Sequence, residues 1–324
     1  MNYLITGGAG FIGSHLADAY LSRGDSVTIL DNLSTGSLEN ISHILEDPRV
    51  SFHNGSILDE HLVRTLVADS DVVVHLAAAV GVQLIVRQPL ESMITNIRGT
   101  EVILEACADH DRRVLVASTS EIYGKNKNGP LREDSDRILG PPYKTRWSYS
   151  TSKAVDEILA HTYWRERGTP SIVVRLFNCI GPRQTGAHGM VLPRFVRQAL
   201  GAEPVTIYGD GKQQRCFCHV RDTVRALVGL LDHPESPGQV FNVGNQREVT
   251  INELAQMVID MTGSLSKTVH IPYDVAYEAG FEDMERRVPD ISRINALIGW
   301  EPTLSLEDTI ADVIAYERAG LAVS

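Results

Sequence analysis

Cysteine is scarce and scattered in this chain, with only Cys107, Cys179, Cys216 and Cys218 among 324 residues. So few thiols exclude a disulfide framework and read as a reduced protein. Cys216-Phe217-Cys218-His219 lacks the second ligand pair of a structural zinc site, so no metal is expected. No apolar run approaches the ~20 residues that span a bilayer, so no membrane partner is expected. Positive charge is also in deficit, with 30 Lys and Arg against 41 Asp and Glu. The formal net charge of -11 argues against nucleic acid and anionic lipid, both of which attract basic patches. A small anion remains compatible where arginines are concentrated in one pocket. Repeats and low-complexity tracts are absent. The first residues run straight into Tyr3-Leu4-Ile5-Thr6-Gly7 with no basic leader, and a cytoplasmic location is expected.

What is present is a rhythm of short apolar runs and amphipathic stretches. Tyr3–Thr6, Ser26–Leu30, Val50–Phe52, Val72–His75, Arg113–Ala117 and Ser171–Leu176 read as strands. Ser14–Ser22, Pro89–Asp109 and Ser148–Arg167 read as helices between them. Such alternation predicts an α/β fold, a doubly wound parallel (Rossmann) sheet whose ligands sit beyond the strands' C-terminal ends. After Leu176 the rhythm changes. Gln239–Gly244 reads as a strand leaving the sheet, and helices are expected near Val191–Leu200, Ile251–Thr262, Ile291–Ile298 and Leu306–Ala319. The expected division is a Rossmann domain of residues 1–177, with 217–242 returning to it, and a smaller C-terminal ligand-holding domain of 178–216 and 243–324.

Between the first strand and helix stands Gly7-Gly8-Ala9-Gly10-Phe11-Ile12-Gly13, a G-x-x-G-x-x-G pattern in the setting it needs. Small residues let the backbone approach a pyrophosphate, and a helix N-terminus offers free N–H groups at a positive dipole end. Asp31 closes the second strand. A carboxylate there suits a ribose diol and repels a 2′-phosphate, which favours NAD over NADP. Asn32, Ile57, Leu76, Ala77 and Ala78 follow other strand ends and complete the expected cofactor set.

Tyr149 and Lys153 lie one helical turn apart, on one face. A tyrosine titrates near pH ~10 when free, and a neighbouring ammonium is expected to bring it down and make it a base. Thr119, at the end of the fifth strand, can share a hydrogen bond with the alcohol oxygen. Glu121, two residues on, is not needed for simple alcohol oxidation but suits proton transfer beside a new ketone. The expected catalytic set is therefore Thr119, Glu121, Tyr149 and Lys153. Ser120, Arg146, Asn178, Arg183, Arg194, Arg215 and Arg287 form the expected substrate set. Arg146 would pair with a carboxylate, and the other arginines with a diphosphate.

Taken together, these residues make the chain resemble the extended short-chain dehydrogenase/reductases, in their NAD-dependent nucleotide-sugar epimerase/dehydratase branch. The resemblance covers essentially the whole chain, including Leu176-Phe177-Asn178, Gly181-Pro182-Arg183, Arg215, and Arg287 before Pro289-Asp290. Ser118-Thr119-Ser120-Glu121-Ile122-Tyr123-Gly124 is similar to the form in UDP-glucuronate decarboxylases and some 4,6-dehydratases. Arg146-Trp147-Ser148-Tyr149 resembles UDP-apiose/UDP-xylose synthases and the decarboxylase of the lipid A aminoarabinose pathway. So does Gly280-Phe281-Glu282-Asp283 with Arg286-Arg287-Val288-Pro289. Two departures stand out: Ser56 replaces an Asp that contacts adenine in many relatives, and Val80–Arg87 matches no subfamily. The resemblance implies that NAD oxidises C4 of a UDP-sugar and that the resulting ketone labilises a neighbouring bond. It implies decarboxylation of UDP-glucuronate, with 4-epimerisation of UDP-glucose or UDP-glucuronate as the alternative and dehydration of an NDP-sugar as a third outcome. It also implies a homodimer joined through the helices Pro89–Asp109 and Ser148–Arg167.

Overall fold

The computed structural model describes residues 1–80, 88–186, 190–272, 275, 284 and 286–323. Its centre is a seven-stranded, all-parallel sheet. β1 (Asn2–Thr6), β2 (Ser26–Asp31), β3 (Val50–Asn54), β4 (Val72–His75), β5 (Arg113–Thr119) and β6 (Ser171–Leu176) are joined by the edge strand Val240–Val243. The order is edge strand, β6, β5, β4, β1, β2, β3. The pairing direction reverses after β3, so the switch point falls between β1 and β4, where a doubly wound sheet opens a crevice.

Alternation along the strands builds the two layers. Tyr3, Ile5, Val27, Ile29, Val72, Val74, Leu115, Ile172 and Val174 face the helices Phe11–Ser22, Val220–Asp232 and Ser292–Ile298. Leu4, Leu30, Val73, Val114, Val116 and Val173 face Glu60–Ala68, Pro89–Asp109 and Ser148–Arg167. A buried parallel sheet needs apolar residues on both faces, which is why these runs are continuous rather than half polar. A separate cluster forms from Leu192, Phe195, Val196, Leu254, Val258, Ile310 and Val313, on the helices Val191–Leu200, Ile251–Thr262 and Leu306–Val323.

Two features differ from the sequence reading. Val240–Val243 does not leave the sheet: it pairs with β6 from Val240↔Val173 to Val243↔Leu176 and forms the sheet's edge. The helix Glu60–Ala68 went unread. Asp59 caps it by accepting the Leu62 N–H at 3.0 Å, and Val63, Leu66 and Val67 bury its apolar side. The catalytic-helix candidate Ser148–Arg167 ends at Gly168, whose φ of 72° is left-handed and suits a residue without Cβ.

Candidate active site

The strands' C-terminal ends open on one cavity of about 950 Å³, within the size range of cofactor and ligand sites. The expected residues Gly7, Gly10, Phe11, Ile12, Gly13, Asp31, Asn32, Ile57, Leu76, Ala77 and Ala78 all line it. So do Thr119, Ser120, Glu121, Tyr149, Lys153, Asn178, Arg183, Arg194, Arg215 and Arg287. The backbone of Arg146 lies in the short turn Thr145–Trp147, and its side chain is outside the described residues. Val80 also lines the cavity, whereas 81–87 and Gly280-Phe281-Glu282-Asp283 lie outside the described residues.

The glycine turn is shaped for close approach. A Cβ on Gly7 would stand 2.9 Å from the Ala77 amide nitrogen, and one on Gly13 only 2.3 Å from the Gly7 carbonyl oxygen. β1, β4 and the Phe11–Ser22 helix therefore meet here with no side chain between them. Asp31 is bound into the same turn: its carboxylate accepts N–H bonds from Ala9 at 3.0 Å and Leu33 at 2.8 Å. Burial raises its pKa, and those two N–H groups pull it back. The cradle without side chains and the strand-end acid together fit a dinucleotide.

Thr119 caps the turn Ser120–Tyr123, its Oγ1 accepting the Glu121 N–H at 3.2 Å. That bond occupies an acceptor site and leaves the hydroxyl hydrogen to donate into the cavity. The Glu121 carboxylate lies 3.8 Å from the Arg287 guanidinium. Arg287 also donates to Ser120 Oγ at 3.3 Å and to Asn178 Oδ1 at 3.0 Å. Arg287 and Arg215 are register neighbours on adjacent strands and both line the cavity, which brings two arginines to one site in an otherwise acidic protein. Arg194 stacks over Tyr208 at 4.1 Å, with its Nε and Nη1 buried and making no hydrogen bond. Arg183 is held differently, by Asp18 at 2.8 Å, and so is not aimed solely at a ligand.

The Tyr149–Lys153 pair departs from expectation. Burial raises the Tyr149 pKa well above its ordinary value, and the charges of Glu121 and Asp156 push it the same way. The Lys153 ammonium is instead held by Asp156, 3.1 Å from its Oδ2 and one turn further along the same helix. Sequence reasoning missed Asp156, although its i,i+3 spacing from Lys153 is a legible signal. It also missed the buried hydroxyl–imidazole chain behind the helix. There Thr6 Oγ1 and His75 Nδ1 are 2.8 Å apart, and His75 Nε2 and Thr100 Oγ1 are 3.1 Å apart.

A doubly wound sheet, a glycine turn with a strand-end acid, and a Tyr–Lys pair in one cavity define a dinucleotide-dependent enzyme of the extended short-chain dehydrogenase/reductase type. The model of the GDP-mannose 4,6 dehydratase family matches residues 4–313, and the chain belongs to that family. The UDP-N-acetyl-alpha-D-glucosaminuronate decarboxylase of Bacillus cytotoxicus is 40% identical over 317 residues, covering 97% of each chain. UDP-glucuronic acid decarboxylase 1 of Danio rerio is 36% identical over 314 residues, covering 97% of this chain and 72% of that protein. The crystal structure of UDP-glucuronic acid 4-epimerase from Bacillus cereus, in complex with UDP-glucuronic acid and NAD, superposes with a TM-score of 0.88. It is 29% identical and covers 98% of this chain and 99% of that one.

Proposed function

We propose that this chain is an NAD-dependent decarboxylase of a UDP-linked uronic acid, with UDP-glucuronate as the substrate, acting through a 4-keto sugar. The observation that carries the reading is Glu121 beside Thr119, Tyr149 and Lys153 in a cavity that also holds Arg215, Arg287 and Asn178. Relatives at 36% and 40% identity bear decarboxylase names, which supports it.

The glycine turn Gly7–Gly13 would hold the pyrophosphate of NAD, Asp31 its adenosine ribose and Lys153 its nicotinamide ribose. When bound, NAD supplies a hydride acceptor that takes the C4 hydrogen and later returns it. Tyr149 takes the C4 hydroxyl proton, and Thr119 donates a hydrogen bond to the same oxygen. With C4 a ketone, the C5–C6 bond of the uronate breaks and CO2 leaves. The electron pair that remains spreads onto the C4 oxygen, where Thr119 and Tyr149 donate hydrogen bonds. A proton drawn from solvent water and relayed through Glu121 goes to C5, and Tyr149 returns its own proton to the C4 oxygen on reduction. Arg194, Arg215, Arg287 and Asn178 bind the diphosphate. The nucleotide-sugar-binding domain comprises 178–216 and 243–324. Exposed Leu90, Ile94 and Ile158 on the two long helices suit a homodimer interface. Among the described residues no helix is long and apolar enough to cross a membrane, and the proposed setting is the cytoplasm.

Incubation with UDP-glucuronate, UDP-N-acetylglucosaminuronate and UDP-glucose, with products read by mass spectrometry and NMR, tests this. Loss of one CO2 from a uronate supports the reading, and the faster uronate names the C2 substituent. An isomer of unchanged mass would replace it with 4-epimerisation, the reading that the Bacillus cereus structure favours. Glu121→Gln should slow CO2 release far more than C4 oxidation, so that NADH accumulates. Equal slowing of both would remove Glu121 from the C5 step.

A further inference from the structure

Behind the Tyr149–Lys153 pair lies a charge that the proposed reaction does not use. Asp156 is on the same helix, its side chain 0% exposed, and the ammonium of Lys153, whose side chain is 3% exposed, lies 3.1 Å away. Neither carboxylate oxygen completes a well-aligned hydrogen bond. A buried carboxylate with so little support costs several kcal/mol in general, so it calls for an explanation beyond packing.

The groups facing this cluster come from every neighbouring element. Thr100, on the Pro89–Asp109 helix, turns its hydroxyl toward Asp156, and burial nonetheless raises the Asp156 pKa. His75 on β4 bridges Thr6 and Thr100 and is neutral, burial and the Lys153 charge pushing its pKa down to about 3. Glu157, next along the helix, is taken up by Arg175 of β6 at 2.8 Å. Glu121, from the turn after β5, faces Tyr149 and is paired with Arg287. Tyr149, one helical turn before Lys153, lines the same cavity, so a phenolate there would be a second group able to balance the ammonium that Asp156 holds.

We propose that Asp156 is a positioning residue that competes with the Tyr149 phenolate for the Lys153 ammonium, and so sets the pH at which the proton acceptor is ready. Asp156 touches neither sugar nor hydride. The substrate's O–H proton goes to Tyr149 Oη on oxidation and returns from it on reduction, so the cluster keeps one proton inside a redox-neutral cycle. The inference rests on Tyr149 being the proton acceptor, but not on which sugar is bound.

The test is an ultraviolet difference titration of the ligand-free protein, with the Tyr149 signal isolated by subtracting Tyr149→Phe in each background. In Asp156→Asn the phenolate should form at lower pH, and a curve displaced by one pH unit means about tenfold more phenolate at a given pH. In the NAD-loaded enzyme the acid limb of turnover should move to lower pH in the same variant. Asp156→Glu, which keeps the charge, should return both curves to within about threefold of the parent. An unchanged Tyr149 titration in folded Asp156→Asn overturns the proposal. Should that variant fail to fold, Lys153→Met with Asp156→Leu removes both buried charges and is compared with Lys153→Met alone. Neither variant holds an ammonium to compete for, so identical titration of Tyr149 in the two supports the competition, and earlier ionisation in the double variant, the mark of direct repulsion by Asp156, overturns it. Because the titration contains no sugar, a failure here is separable from a failure of the decarboxylase reading.

Discussion

Gly13→Ala is the sharpest probe of the cofactor cradle. Its Cβ would lie 2.3 Å from the Gly7 carbonyl oxygen and 2.7 Å from Gly8 Cα, both inside the 3.0 Å that real Cβ atoms keep. Both obstacles are backbone, so no rotamer change relieves them, and the first helical turn must move away from the glycine loop. Overpacking of this kind costs about 1–3 kcal/mol. At about 1.4 kcal/mol per tenfold, that converts to a loss of roughly fivefold to 150-fold in NAD affinity if the strain is borne by the cradle. Gly263→Ala is the matched control. It meets no atom within 4 Å but has φ of +68°, so it should cost about 1 kcal/mol of stability and leave NAD binding unchanged. Calorimetric titration with NAD and thermal unfolding of both variants separate the two effects. Gly13→Ala binding NAD as the parent does, with an unaltered melting temperature, would refute the reasoning.

Three further outcomes follow from buried groups. Arg175→Met should cost about 3–5 kcal/mol in denaturant unfolding, because it leaves Glu157 buried without the two bonds, at 2.9 and 2.8 Å, that Arg175 donates. A cost below about 1 kcal/mol would mean that water reaches Glu157. His75 stays neutral in the fold down to about pH 3, whereas unfolded His titrates near pH 6.5. Its contribution is thus complete above about pH 6.5 and declines by about 1.4 kcal/mol per pH unit as pH falls toward 3, since only the unfolded chain takes up the proton. His75→Gln should flatten that part of the stability–pH curve, and an unchanged slope would contradict it. Tyr149→Phe should retain NAD binding while losing most turnover, and full turnover would end its role as proton acceptor.

Much of the fold was legible because buried parallel strands are apolar on both faces and their spacing is regular. Val72-Val73-Val74 and Ile172-Val173-Val174 show this plainly. The helix Glu60–Ala68 escaped notice because it is short and its signal is a cap, Asp59, rather than a long amphipathic face. The edge strand Val240–Val243 was misplaced because pairing with β6, far away in sequence, is not written in its own residues. In the site, glycines and strand-end residues stood out through local pattern alone, and all of them with described side chains do line the cavity.

Sequence alone determined the parts of this protein whose chemistry is local. These are a glycine turn between strand and helix, an acid closing the next strand, and a tyrosine and lysine one turn apart. Only the tertiary structure decided how their charges balance. Arg287 comes from the end of the chain to stand beside Glu121, Arg183 is drawn to Asp18, and Lys153 is met by a carboxylate sealed from water. Proximity and burial set the strength of such interactions, and neither exists until the chain has folded.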